Sequence, residues 1–185
     1  MAYDYVEIVI DTEEALRYAR EKLGALQGGK ARMAVRNAIN KTAKEVKKID
    51  ERAAKRTFTD KSDLNALEFQ KATTANLEAL LKDKGGSVSI THFTWRNGIR
   101  GVTALINRNN GYKKMTLNGN SAFYNGISVF VREGPERLPI KKVKSLSSPS
   151  AHGAPDVWQK ETEQQGQELF YENLENEIVR ILNLI

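Results

Sequence analysis

The 185-residue sequence contains no cysteine, which removes several chemistries at once. Without thiols there is no disulfide, no cysteine nucleophile and no cysteine-ligated metal site. Only two histidines occur, His92 and His152, and neither lies in a recognisable metal-ligand spacing. Glycine-rich phosphate loops and a Gly-x-Ser-x-Gly nucleophile motif are also missing. The sequence therefore predicts a protein that is not an enzyme, with no catalytic residue, metal or cofactor.

Long apolar runs are missing as well. No segment approaches the about 20 consecutive apolar residues that cross a bilayer. Residues 1–11 are acidic and lack the basic and apolar regions of a secretory signal. We therefore expect no membrane partner, and a protein that is made in the cytoplasm.

Proline occurs only four times, always between residues 135 and 155, which predicts an extended basic Pro/Ser loop over 132–155. Residues 87–131 precede this loop and contain four Asn-Gly pairs between alternating apolar runs. Asn and Gly tolerate the positive φ of two-residue hairpin turns, so these pairs predict an antiparallel sheet of four or five strands. Some of the pairs fit longer loops equally well.

Three helices are predicted from capping and periodicity. Asp11 followed by Glu14 indicates a helix start, and the helix should run to about Leu26 and end at Gly28-Gly29. A second helix is predicted over 30–56. A third should run from about Asp156 to the C-terminus. Their apolar stripes step by three or four residues: Val35, Ile39, Ala43, Val46, Ile49 and Ala53 in the second, and Phe170, Leu174, Ile178, Ile181 and Ile185 in the third.

Together these patterns predict a single α+β domain over 1–185. An antiparallel sheet built from Asn-Gly-rich hairpins packs with two N-terminal helices and a long C-terminal helix. Tyr3–Ile10 suits a short strand or docked arm. Residues 62–83 are ambiguous, because periodicity does not settle such short apolar runs. Residues 62–72 suit a short helix, whereas residues 76–93 suit either a helix followed by a strand or a hairpin that turns at Gly85-Gly86. The predicted parts are the N-terminal arm and helices (1–61), the mainly antiparallel sheet (62–131), the loop (132–155) and the C-terminal helix (156–185).

The net charge of +6 is unevenly distributed. Residues 30–61 carry +7 and residues 85–150 carry +8, whereas residues 1–29 carry −3 and residues 151–185 carry −5. A basic middle with acidic ends fits a nucleic-acid surface. It also fits subunits that attach head to tail, or faces that are simply solvated. Aromatic residues between the basic ones suit either base stacking or a core.

Residues 120–150 and several upstream segments resemble the phage minor tail protein Z family, the tail-completion proteins of long-tailed bacteriophages and prophages. The resemblance covers nearly the whole chain and depends on the order of its features. In sequence these are ARMAVRNAINKTAKEV (31–46), KATTANLEAL (71–80), an apolar strand ending in Phe93, Ala122-Phe123, Val-Phe-x-Arg (129–132), Arg-Leu-Pro-Ile (137–140) and Ser-x-Pro-Ser (147–150).

The resemblance implies a structural virion protein, located at the head-proximal end of the tail. Such proteins look like subunits of a ring, six-fold in this family, near the head–tail junction and the end of the packaged DNA. The implied partners are copies of itself, the tail terminator, the tail tube or tape-measure end, and head–tail connector proteins, with nonspecific contact to DNA. The resemblance also favours a hairpin over a helix at 77–92.

Two sets of residues are candidates for these contacts. The first is a subunit or partner interface in the Pro/Ser loop and beyond, where prolines hold the chain extended at low entropic cost: Arg137, Leu138, Pro139, Ile140, Val143 and Trp158. The alternative is a loop that packs Leu138 and Ile140 onto its own core. The second set is basic and could face DNA or the lumen of the ring: Lys44, Lys47, Lys48, Lys113 and Lys114. Like-charge repulsion opposes an inward position for all of them without DNA.

Overall fold

The structure, a computed structural model, describes residues 10–24, 28–60, 67–83, 86–147 and 161–183. It confirms the mixed α+β class. The helices are α1 (Thr12–Leu23), α2 (Gly28–Thr57) and α3 (Glu161–Leu182). The strands are β1 (Leu67–Gln70), β2 (Leu80–Asp83), β3 (Ser87–Ser89), β4 (Thr94–Gly98), β5 (Gly101–Leu105), β6 (Lys113–Lys114), β7 (Thr116–Leu117), β8 (Asn120–Ser121), β9 (Phe123–Tyr124), β10 (Val129–Arg132), β11 (Ile140–Lys142) and β12 (Lys144–Ser147).

Helix α1 begins as predicted but ends earlier. The Asp11 carboxylate accepts hydrogen bonds from the backbone amides of Glu13 and Glu14, at 3.0 and 2.9 Å, and so caps the helix. The predicted end near Leu26 is wrong, because the helix stops at Leu23. Gly24 follows with φ of 84°, a conformation that glycine adopts without steric cost. The Gly28-Gly29 pair, predicted to end α1, opens α2 instead.

The contacts within the chain divide it into two compact units. The helical unit contains residues 10–24, 28–50, 67–83 and 161–183 of the described chain. The strand unit contains residues 51–60 and 86–147. Helix α2 belongs to the helical unit up to Asp50, and its last turns belong to the strand unit. The single domain expected over 1–185 therefore stays a prediction.

The core of the helical unit forms where α1, α2 and α3 pack together. Alanines predominate on the buried sides of α1 and α2. Helix α3 supplies the large side chains. The buried residues are Ala15, Ala19, Leu23, Ala31, Ala34, Val35, Ala38, Ile39, Ala72, Phe170, Leu174, Ile178 and Ile181. The predicted apolar stripe of α3 is therefore its buried side, apart from Ile185, which lies outside the described residues.

Strands β1 and β2 answer the ambiguity at residues 62–83. They pair antiparallel, with Leu67 opposite Asp83 and Gln70 opposite Leu80, so Leu67–Gln70 is a strand and not a helix. The hairpin expected at 77–92 is wrong in its pairing. Strand β2 pairs with β1, whereas β3 pairs with β12. The side chain of Asn40 on α2 fixes the connection between β1 and β2 by hydrogen bonds to both main-chain groups of Ala72, at 2.8 and 3.0 Å.

The strand unit contains several small antiparallel sheets in place of the one larger sheet that was predicted. Among its described residues the sheets are β4-β5-β6, β11-β10-β9, β12-β3 and β7-β8, each of two or three strands. The 3₁₀ turns at Ile90–His92 and Arg108–Asn110 separate β3 from β4 and β5 from β6. A shared core joins the sheets: Ile90, Phe93, Val102, Ala104, Ala122, Val129 and Val131 are buried together.

The four Asn-Gly pairs lie in different local structures. Asn118 and Gly119 form the two-residue connection between β7 and β8, with φ of 48° and 80°. Asn97-Gly98 ends β4, so the turn to β5 falls at residues 99–100. The other pairs lie in a 3₁₀ turn at Asn110-Gly111 and in the loop between β9 and β10 at Asn125-Gly126.

The loop predicted over 132–155 is wrong for part of its length. Residues 140–142 and 144–147 form β11 and β12, which pair with β10 and β3. Prolines limit strands only where an amide is needed, and residues 140–147 contain none. Residues 148–155 lie outside the described residues, as does the predicted arm of Tyr3–Ile10 except Ile10, which packs partly buried against the helical core.

Candidate interaction surfaces

The strand unit carries a large excess of positive charge on its surface. Residues 86–147 contain ten lysines and arginines but only two glutamates. Of these ten cations, none forms an ion pair with another residue that the structure describes. An uncompensated charge of this size favours anionic partners.

One exposed surface of this unit, here called the sheet face, combines aromatic and basic side chains. It is the outer side of the β9-β10-β11 sheet, because Val129 and Val131 point from β10 into the core and the alternate residues point away. Register places Phe123 and Lys142 beside Phe130, and Ile140 beside Arg132. The sheet face is therefore defined by Phe123, Phe130, Arg132, Ile140 and Lys142.

The side chains of the sheet face are only partly covered by the chain itself. Phe123 and Phe130 are half-buried and belong to neither of the strand unit's hydrophobic clusters. The Arg132 guanidinium lies over the Phe123 ring, 5.4 Å from its centroid, and Ile140 is 38% exposed. Such a mixture of aromatic, aliphatic and arginine side chains is typical of protein interfaces.

The predicted interface residues lie in different environments in the structure. Arg137, Leu138 and Pro139 are exposed just before β11, with Leu138 68% exposed, so it does not pack onto the chain's own core. Ile140 lies on the sheet face. Val143 is half-buried against the strand core, and its main chain bonds to Val129 and Ile90, which is a structural role within the chain. Trp158 lies outside the described residues.

A second basic surface lies on the β4-β5-β6 sheet. Thr103 in the middle strand has Arg96 on one side and Lys114 on the other, so all three side chains lie on one side of the sheet. The Arg96 guanidinium stacks over Tyr112, 4.2 Å from the ring centroid. Lys113, next to Lys114 on the edge strand, is exposed and points to the opposite side. The structure thus brings Lys114 together with Arg96, a residue outside the predicted basic set.

The predicted basic residues of α2 belong to the helical unit. Lys44 and Lys48 are exposed there. Lys47 is half-buried, and its Nζ donates a 2.7 Å hydrogen bond to the main-chain oxygen of Leu67 at the start of β1. Lys47 therefore fixes β1 against the helix, whereas Lys44 and Lys48 are open to an anionic partner.

The outer side of α3, here called the helix face, is acidic and apolar. Its residues fall within about 100° of arc, since each residue turns the helix by about 100°. The arc begins next to the buried side chain of Ile178 and reaches the side opposite to Phe170 and Leu174. The helix face is defined by Glu168, Tyr171, Glu172, Glu175, Val179 and Leu182. All are exposed, and the exposed fractions of the apolar ones are 44–51%.

The inner side of α3 carries a buried polar network that holds it to α2. Burial raises the pKa of Glu177, but hydrogen bonds from the side chains of Lys41, Asn37 and Arg180 together lower it by more. The pKa therefore lies below its ordinary value. Lys41 approaches at 2.6 Å and Arg180 at 2.8 Å. On the adjacent turn, Asn173 donates to Thr42 and Glu45. These bonds fix the rotation of α3 and hence which side becomes the helix face.

Contact with α1 holds one residue of the helix face in place. The Tyr18 hydroxyl donates a hydrogen bond to Glu175, and this bond raises the pKa of Tyr18 above its ordinary value. Glu168 and Glu172 form no hydrogen bond or ion pair with any other described residue.

The described residues contain no group of three or more acidic or histidine side chains placed to hold a metal ion. Within the same residues, no helix combines the length and the apolar character needed to cross a membrane. His92 is exposed at the end of a 3₁₀ turn. The arrangement contains two faces of opposite charge, each with exposed or half-buried apolar side chains.

No family model, curated protein or solved structure matches this chain. The likeness to the tail-completion proteins therefore depends on the ordered sequence features alone.

Proposed function

We propose that this chain is a structural subunit of a phage virion. It serves as a minor tail or tail-completion protein that forms a ring at the head-proximal end of the tail tube, near the head–tail junction and the DNA end. The observation that carries the proposal is the presence of an acidic, apolar helix face and a basic, apolar sheet face on one chain. The ordered sequence features that resemble the family support the same function.

Two different complementary faces on one chain favour a closed assembly. When identical subunits join through two different patches, each added copy repeats the same rotation, and a suitable rotation closes the ring. The family resemblance favours six copies. The partners beyond the ring would be the tail terminator, the tail tube or tape-measure end, and head–tail connector proteins.

Location in the particle tests this proposal directly. Phage particles from the bacterium that encodes the chain should contain it in a few copies per particle by quantitative mass spectrometry. Gold-labelled antibody should bind at the junction of head and tail. Particles made without the gene should accumulate as separate heads and tails, and the intact gene should restore joining. Normal infectious particles made without the gene would contradict the proposal.

A second function, non-sequence-specific nucleic-acid binding by the isolated chain, is favoured by one observation. The strand unit has ten cations without an ion pair among described residues, and Arg96 is held over Tyr112, where a base could stack. A monomeric binder should shift DNA in gels, with an affinity that falls steeply as salt rises. The ring subunit should bind DNA poorly until it assembles.

A further inference from the structure

We propose that the helix face of one copy docks on the sheet face of the next copy, and that this contact is the repeating joint of the assembly. The inference rests on the proposed self-assembling function and adds the two surfaces that meet. Each surface is at least partly exposed in the described part of the chain, which leaves it available to a neighbour.

Apolar exposure on the helix face is the first argument. Val179 is 51% exposed on the side of α3 that is turned away from its core, and Leu182 is 45% exposed near the edge of the buried side. A helix needs an apolar stripe only on the side that it buries. The sheet face offers Phe123, Phe130 and Ile140 as apolar partners on a surface that the chain leaves partly open. Contact between the two faces would remove both sets of side chains from water.

Charge is the second argument. The helix face carries three glutamates and no basic residue, whereas the sheet face carries Arg132 and Lys142 and no acidic residue. Like charges would oppose contact of either face with its own copy. Opposite charges favour contact of one with the other and set its orientation. Complementary charge thus favours a second copy of this chain as the partner, with its helix face on the sheet face of the first copy.

The helix face is long enough to cover the sheet face. From Glu168 to Leu182 it extends about 21 Å, at about 1.5 Å per residue. Four residues of β10 extend about 13 Å, and three strands are about 10 Å across. One helix can therefore cover the whole sheet face, with its glutamates toward one end of the contact, close to the two cations, and Val179 and Leu182 toward the other end.

Charge reversal provides the test, with the full-length chain studied by sedimentation velocity over a range of concentrations. One variant reverses the sheet face (Arg132→Glu with Lys142→Glu), and another reverses the helix face (Glu168→Lys with Glu172→Lys). Each variant alone should associate at least about tenfold more weakly than the wild type, because both of its faces then carry the same sign. An equimolar mixture of the two should recover association, because each face then finds a partner of opposite charge.

The control is Arg100→Glu with Arg108→Glu, two exposed arginines of the same unit that are not part of the sheet face, so that the charge changes by the same amount. It should associate like the wild type, and circular dichroism should show that all variants fold. If the wild type associates and the reversals have no effect, or the mixture does not recover, the docking inference is wrong while self-assembly stands. A wild-type chain that stays monomeric at every concentration would contradict both.

Discussion

Among single residues, Glu177 shows most clearly how this chain uses a buried charge. Its carboxylate is almost fully buried, yet it is compensated by a lysine, an arginine and an amide side chain. A buried charge is tolerated only when partners replace the lost water. The network therefore specifies one position for α3 on α2, which positions the helix face proposed to dock.

Replacement of this carboxylate should reveal its contribution. Glu177→Gln removes the charge that its partners compensate, and should lower the free energy of unfolding by about 1–3 kcal/mol at neutral pH. The folded state lowers the pKa of this group, so its contribution is fully present above the unfolded pKa and is lost as pH falls through the folded pKa. The difference between variant and wild type in urea unfolding should therefore shrink in acid.

The exposed Glu21→Gln variant on α1 is the control and should change stability by less than about 0.5 kcal/mol. A Glu177→Gln difference that remained constant from pH 7 to pH 3 would show that the lost stability comes from packing and not from charge.

At the scale of elements, local sequence signals predicted the start of α1 and the buried side of α3, but they did not predict which strands pair. The cap at Asp11 and the buried stripe of α3 are confirmed because each depends on residues within a few positions in sequence. The end of α1 was predicted wrongly because the Gly28-Gly29 pair is the more conspicuous signal in the sequence. The helix ends instead just before the single glycine Gly24. Strand partners depend on contacts between distant segments, so the pairing of β3 with β12 had no local signal.

The candidate interface shows the same limit. Leu138 and Ile140 were predicted from their loop, and both are exposed. The sequence did not predict Phe123, Phe130 and Arg132 as interface residues, because only the pairing of β9, β10 and β11 places them beside Ile140. The alternation of Val129 and Val131 with Phe130 and Arg132 was the available signal: buried valines require the other two to point outward.

The turn between β4 and β5 gives a prediction for elements. Gly101 has φ of 102°, and a Cβ added there would lie 2.9 Å from the backbone oxygen of Ala122. Gly101→Ala should therefore combine backbone strain with a clash against main chain, and lower stability by about 2–4 kcal/mol. Gly119→Ala is the matched control, because its φ is 80° but no atom lies within 4 Å of the added carbon.

Urea unfolding measures both glycine variants. The control should lose only about 1–2 kcal/mol, the strain of positive φ alone. Equal losses in the two variants would mean that the close approach of Gly101 to Ala122 has no cost, which would contradict the packing described for this turn.

At the scale of the whole molecule, charge is the organising feature. The described part of the strand unit is strongly basic, and the outer side of α3 is acidic. Because exposed charges are screened, association through these faces should weaken as ionic strength rises, while the apolar part of the contact should persist. We therefore expect the affinity between subunits to fall as the salt concentration rises, to the extent that charged side chains contribute to the contact.

Native mass spectrometry of the full-length wild-type chain tests the central claim most directly, since it counts copies in each assembly. We expect one dominant closed oligomer, of six copies as the family resemblance implies, whose size stays constant as the protein concentration rises. A chain that remains monomeric at high concentration, or that grows into an open series of ever larger species, would contradict it.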